Sequence, residues 1–166
     1  MSESAKILEA WDFYSDEHTD LDGWPHDELA YGLRASQRDA DTMSAFEPLQ
    51  AGVRHLLATA EVQLVRLPAN TAQSRWVYQL GVLRSALDQL DELRDEWLEN
   101  SSTLRPGTAE FDNALALHQA ESWSYLDDWA SHGHALREIN TAARGAPSSL
   151  TPAPALAPVR RTAARK

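Results

Sequence analysis

The residues whose side chains could best bind a ligand or react lie on one predicted helix face between residues 111 and 143. Apolar positions recur there every three or four residues. Five positions on that face carry imidazole, hydroxyl or indole groups: His118, Ser122, Tyr125, Trp129 and His132. Because residues three or four apart share a helix face, these groups could line a buried site for a small ligand. The structural alternative, which we favour, is a polar layer that hydrogen-bonds internally and fixes the helix register.

A second candidate site is the acidic and aromatic segment near the N-terminus. It contains Trp11, Phe13, Tyr14, Asp16, Glu17, Asp20, Asp22 and Trp24. Aromatic anchors supply binding energy and nearby carboxylates steer a basic partner, so this segment predicts a surface that binds a protein. The alternative is a solvated acidic surface whose aromatic rings pack onto the rest of the fold.

Sequence patterns exclude several kinds of metal and catalytic site. An EF-hand loop beginning at Asp12 would need glycine at its sixth position and glutamate at its twelfth, but these are Glu17 and Gly23. No glutamate is followed by histidine three residues later, as a ferritin-type di-iron site requires, and the chain has no cysteine. Gly-x-Ser-x-Gly and His-Glu-x-x-His motifs are also absent. We therefore expect no catalytic residue, no metal site and no cofactor.

Helical periodicity predicts the elements that position both candidates. Residues 76–97 and 111–143 each carry a continuous apolar stripe, and turn-forming residues at 67–70 and 101–107 precede them. An earlier helical segment begins near Pro25. Since short connectors join antiparallel neighbours, the expected fold is all-α: an elongated antiparallel bundle of three long helices, with a short N-terminal helix laid across one end.

The first long helix is expected to be kinked. Its apolar stripe changes phase between Met43 and Leu49. Within that interval Ser44 and Glu47 form a capping-box pattern, and Pro48 cannot donate a backbone hydrogen bond. These signals place a kink or a break near Ser44–Pro48, so we expect one bent helix or two abutting helices, and we count the segment as one kinked helix.

Three regions are expected along the chain. Residues 1–24 form the short amphipathic helix, expected from Ala5 to Ser15, and the acidic loop that begins at Asp16. Residues 25–144 form the helical bundle. Residues 145–166 are rich in proline and alanine, cannot bury a core, and are predicted to be a disordered tail with a basic end.

Charge and composition limit the partners. The net charge is −10, and every acidic residue lies at or before Glu138, so the folded part is more acidic than the total suggests. An acidic body disfavours strong nucleic-acid binding and attracts basic partners. There is neither a secretory signal nor an apolar run long enough for membrane insertion, so a cytoplasmic location is expected. The preference for arginine over lysine and the abundant alanine suggest a bacterial source with GC-rich DNA.

These observations predict a noncatalytic helical interaction or adaptor protein that presents its acidic aromatic surface to a basic protein partner or to itself. The first alternative is a regulatory bundle that binds a small ligand at the His118–His132 layer. A weaker alternative is an acidic nucleic-acid mimic that inhibits a basic enzyme. A homodimer is also expected, because six apolar residues fall off the main stripes and could form a second face: Val62, Val65, Val77, Val82, Leu117 and Leu126.

Overall fold

The computed structural model describes residues 3–146, and most of them are helical. Its α-helices are α1 (Glu3–His18), α2 (Glu28–Phe46), α3 (Val53–Arg66), α4 (Ser74–Ser101), α5 (Ala109–His132) and α6 (His134–Gly145). A short 3-10 helix, Glu47–Leu49, follows α2, and the described residues contain no β-strand beyond one isolated bridge. The predicted all-α class is therefore confirmed. The last described helix ends at Gly145, and residues 147–166 of the predicted tail lie outside the described range.

The count of three long helices is wrong, because two of the predicted helices are each divided into two. The predicted kink near Ser44–Pro48 is a complete interruption: α2 ends at Phe46, and α3 starts only at Val53. Pro48 occupies the first turn of the 3-10 helix, where its missing N–H is tolerated. Ser44 remains inside α2, so it does not cap a new helix as the sequence pattern suggested.

The second division separates α5 from α6 at Gly133, within a segment predicted to be one continuous helix. The Gly133 N–H still donates to the Trp129 carbonyl at 2.9 Å, but its own carbonyl accepts from Leu136, three residues later, at 3.2 Å. A Cβ atom at this position would lie 2.6 Å from the Trp129 carbonyl oxygen. Such a distance is a clash, so the junction requires glycine.

Side-chain pairs show how the helices pack. Along α4, the partners on α5 and α6 occur in reverse sequence order: Trp76–Glu138, Gln79–His134, Gln89–Tyr125 and Trp97–His118. On the opposite side of α5, α2 runs in the same direction, with Arg38 beside Trp123 and Phe46 beside Trp129. The α3 helix packs against α4 and α6. The structure therefore places α5 between α2 and α4.

The apolar core lies where these helices meet. Its most deeply buried large side chains include Leu83, Leu126, Ile139 and Val53. Leu126 had been assigned to a second, exposed apolar face, which is wrong, because it is only 2% exposed. The residues of that set with the largest exposure are Val62, Val65, Val77 and Leu117. None of the described helices is long and apolar enough to cross a membrane.

The N-terminal helix differs from its prediction in length and in position. It continues to His18, so Asp16 and Glu17 belong to α1 and not to the acidic loop. It also packs along α2, with a smaller contact on α5, and does not lie across one end of the other helices. A hydrogen bond of 2.8 Å between the Ser15 and Tyr31 hydroxyls joins α1 to α2.

Candidate functional site

The loop between α1 and α2 is a tight turn built around Asp20. The Asp20 carboxylate accepts hydrogen bonds from the backbone N–H groups of Asp22 at 2.9 Å and Trp24 at 2.8 Å. The Asp20 N–H in turn donates to the Trp24 carbonyl at 2.9 Å. Gly23 has a φ of +83°, a left-handed conformation that favours glycine. Three hydrogen bonds and the left-handed backbone of Gly23 therefore define the shape of the turn between Asp20 and Trp24.

This turn exposes two large apolar side chains. Leu21 is 106% exposed and Trp24 is 69% exposed, while Phe13 on the neighbouring α1 is 66% exposed. Scattered exposed apolar residues are common, but tryptophan is enriched among the residues that dominate binding energy, and hydrogen bonds constrain the backbone that carries Trp24. Leu21 was not among the residues predicted for this site, because an isolated leucine carries no sequence signal of exposure.

Two of the predicted aromatic anchors have a structural role instead. Trp11 and Tyr14 are partly buried against α2, where the Trp11 ring meets the Tyr31 ring edge-on at a centroid distance of 5.1 Å. Tyr14 stacks on His18 at 4.0 Å. The stack on His18 lies within α1, but Tyr14 also approaches the Tyr31 ring at 6.0 Å, so Trp11 and Tyr14 both fix α1 to α2. Of the four predicted aromatic residues in this segment, only Phe13 and Trp24 are exposed.

The predicted carboxylates also divide into two groups. Asp20 is committed to the turn through its hydrogen bonds. Asp16, Glu17 and Asp22 are exposed, and none of their carboxylates has an ion pair or hydrogen bond within residues 3–146. Phe13 lies one helical turn before Asp16 and Glu17, so its ring is adjacent to both charges on α1. Three unneutralised carboxylates thus accompany the exposed apolar side chains.

The sequence did not reveal a largely enclosed charge where α1, α2 and α5 meet, on the side chain of Arg38, which is 11% exposed. The Arg38 guanidinium lies over the Trp11 ring at 4.2 Å and the Trp123 ring at 3.6 Å, so α1 and α5 enclose it from two sides. It donates two hydrogen bonds to the Asp39 carboxylate, at 2.9 Å and 2.6 Å. Burial raises the pKa of Asp39, and the Arg38 hydrogen bond and charge oppose that rise. This arginine links three helices.

Asp127 is a second partly buried acid near the same junction. Burial raises the pKa of its carboxyl, and repulsion from Asp128 and Asp12 raises it further, while Arg38 and His132 oppose the shift. The charged form of Asp127 is therefore held in the fold at a cost in stability. Its position facing α1 had no counterpart in the sequence-based prediction.

The predicted His118–His132 layer occupies the contacts of α5 with its neighbours. His118 stacks on Trp97 with ring centroids 5.2 Å apart, and burial lowers the pKa of His118, against an opposing effect of Glu121. The buried Ser122 hydroxyl donates to the His118 carbonyl at 2.8 Å, a bond within the helix. These groups have partners that explain them as packing.

The other three members of the layer contact different elements. The Tyr125 hydroxyl donates to Gln89 at 3.4 Å, Trp129 packs against Phe46 at 5.8 Å, and His132 meets Tyr78 edge-on at 6.0 Å. The five side chains are spread along α5 and do not converge on one pocket. Only Trp129 lines the large cavity that is described below.

Within residues 3–146, no group of three or more histidine, aspartate or glutamate side chains is arranged to hold a metal ion. Comparisons with protein-family models, curated proteins and solved structures found no match to this chain. Function must therefore be argued from the geometry of the described surfaces.

Proposed function

We propose that the chain is a noncatalytic interaction protein that binds a protein partner through its N-terminal surface. We define this surface by Phe13, Leu21 and Trp24 together with their nearby carboxylates, Asp16, Glu17 and Asp22. The observation that carries the proposal is the turn at Asp20, whose hydrogen bonds constrain the backbone from which the exposed Leu21 and Trp24 side chains project. A fixed conformation reduces the entropy that binding must overcome.

The chemistry of the surface favours a basic partner with an apolar pocket. Burying a large apolar side chain contributes about 1.5–3 kcal/mol, so Trp24 and Leu21 can act as the anchors. No cation within residues 3–146 pairs with the three carboxylates, so that part of the chain leaves them available to lysine or arginine on the partner. Such charges raise the association rate and oppose acidic competitors.

The same charges argue against self-association through this surface, because two copies would bring like charges together in a chain of net charge −10. The nucleic-acid mimic receives less support. On α4, Asp88 and Asp91 are already paired with Arg54, and Arg94 contacts Asp91 as well. A phosphate mimic needs a row of carboxylates on a helix that are free to meet a basic enzyme, and these two carboxylates of α4 are not free.

The proposal is tested by affinity capture from the native host with matched surface variants. The test variant is Leu21→Ser/Trp24→Ala. The control is Val65→Ser/Tyr78→Ala, which removes side chains of similar size and exposure, 86% and 67%, from α3 and α4. Mass spectrometry should identify a protein that the wild type and the control retain and the test variant loses.

A charge variant gives an independent check on the same partner. Replacing Asp16, Glu17 and Asp22 by the corresponding amides should slow association and flatten its salt dependence. If both apolar variants capture the same proteins as the wild type, the N-terminal surface is not the binding site and the proposal is wrong.

A further inference from the structure

A cavity lies where both divided helices are interrupted. Its volume is about 660 Å³, and five helices contribute to its wall: the start of α1, the end of α2, α3, α5 and the start of α6. Packing of side-chain ridges stops at the α2–α3 and α5–α6 junctions, which leaves space between them. The volume lies within the range of about 300–1,000 Å³ that small-molecule pockets occupy.

The wall of this cavity is mainly apolar. Aromatic and aliphatic side chains form it, including Phe46, Val53, Leu126, Trp129 and Leu136. Leu49 and Leu56 also line it and are about half exposed, so they lie at its opening. Apolar surface facing water costs about 25 cal/mol per Å², and an apolar ligand would remove that cost. Enclosure by five helices favours a small molecule over the face of a partner helix.

Most polar groups of the wall are already satisfied within the protein. The Thr42 and Thr59 hydroxyls donate to carbonyls of their own helices, at 2.8 Å and 2.7 Å. Gln63 and Asn140 bond to each other at 3.1 Å. These residues shape the cavity but do not call for a polar ligand group.

Not every polar group of the wall has a partner. The indole N–H of Trp129 is buried without a hydrogen-bond partner within residues 3–146. The charged residue without a partner is Arg137. It lines the cavity from α6, its side chain is exposed, and its guanidinium has no ion pair or hydrogen bond within residues 3–146. The nearest carboxylate in sequence, Glu138, is occupied by Arg75 and Trp76, both at 2.7 Å. An unneutralised cation therefore lies beside an apolar cavity in a strongly acidic protein, and it is complementary to one negative charge.

We propose that this cavity binds a small molecule with an apolar chain and one anionic head group, of which a medium-chain carboxylate is the simplest. The alkyl chain of the ligand lies between the α2–α3 and α5–α6 junctions, and its carboxylate accepts hydrogen bonds from Arg137. The proposal uses residues other than those of the N-terminal surface, so it is independent of the partner-binding function.

The probe is sodium decanoate, titrated into the full chain below its micelle concentration and followed by calorimetry. Saturable binding with one site per chain is expected. Decanol, which keeps the chain and lacks the charge, should bind about ten-fold or more weakly, since a charge-assisted hydrogen bond contributes about 1.5–3 kcal/mol.

A matched pair of variants locates the head group. Arg137→Gln should weaken decanoate binding about ten-fold and leave decanol binding unchanged. Arg144→Gln makes the same charge change at an exposed position on the same helix, away from the cavity, and should leave both affinities within about two-fold. Equal effects of the two variants, or adsorption that does not saturate, would overturn the proposal.

Indole signals in a nitrogen–proton correlation spectrum of the protein locate the alkyl chain of the ligand. Trp129 is the only tryptophan that lines this cavity, and Trp129→Phe identifies its signal by loss. Decanoate should shift the Trp129 indole signal more than the others. A larger shift at another tryptophan would show that the ligand binds elsewhere and that the assignment is wrong.

Discussion

Replacing Arg38 tests how far one largely enclosed cation holds three helices together. In Arg38→Met the straight apolar stem remains between the two indole rings, and only the charge and its hydrogen bonds are lost. Each cation–π contact contributes about 0.5–2 kcal/mol, depending on burial. Asp39, which is 4% exposed, would be left without its cation, and breaking a buried pair costs about 3–5 kcal/mol.

Because these contributions are not additive, we expect a total loss of about 3–5 kcal/mol at neutral pH. A domain of this size would then melt about 10 °C lower. Without Arg38 the pKa of Asp39 rises further, so the loss should shrink as acid protonates that carboxyl. Urea unfolding followed by circular dichroism at pH 7 and pH 4 measures both effects.

Two further variants separate charge from packing. Arg38→Met/Asp39→Asn removes the stranded carboxylate and should recover about 2 kcal/mol of the loss. Arg34→Met is the matched control one turn earlier on α2, where the arginine is exposed and contacts only the Tyr14 ring at 5.9 Å, and it should cost less than about 1 kcal/mol. The reasoning is refuted if Arg38→Met costs no more than the control, or if the double variant is as unstable as Arg38→Met.

Three other predictions concern single positions. Asp20→Ala removes two hydrogen bonds from the α1–α2 turn and should lower the unfolding free energy by about 1–2 kcal/mol, whereas Asp22→Ala should change it by less than about 0.5 kcal/mol in the same denaturation assay. Gly133→Ala should lower the melting temperature, because the new Cβ atom would lie 2.6 Å from a backbone oxygen. Gly81→Ala has open space inside α4 and should stabilise the protein by about 0.5–1 kcal/mol. If Gly133→Ala were the more stable of the two variants, the junction would not need glycine. Asp127→Asn should stabilise the protein at neutral pH, because the raised folded-state pKa of Asp127 makes the wild type lose stability as the pH rises above about 3.8. The stability gained by the variant should vanish below that pH. A gain that persists in acid would contradict the raised pKa of Asp127.

Local signals predicted the helical class and one of the two interruptions. Pro48 lacks a backbone donor, so its effect on the helix can be read without knowledge of its neighbours. Gly133 gave no comparable signal, because a lone glycine is tolerated in a helix and the apolar stripe continues across it. The close approach to the Trp129 carbonyl exists only in the folded backbone.

Some features of the candidate sites could be predicted from the sequence and others could not. Asp20 belongs to a residue type whose side chain often bonds to backbone N–H groups two or more residues later, so its role in the turn could have been inferred. The enclosure of Arg38 could not, because Trp11 and Trp123 are far apart in sequence and meet only through packing. The same holds for the cavity beside Arg137, whose wall comes from five helices.

The central claim is that the N-terminal surface binds a protein partner, and its most direct test is the dissociation constant of the captured partner at fixed salt. Leu21→Ser/Trp24→Ala should raise that constant about 30-fold or more, since a binding anchor contributes about 2 kcal/mol or more. Val65→Ser/Tyr78→Ala should leave it within about two-fold of the wild type. A dissociation constant that changes equally in both variants, or in neither, would contradict the account.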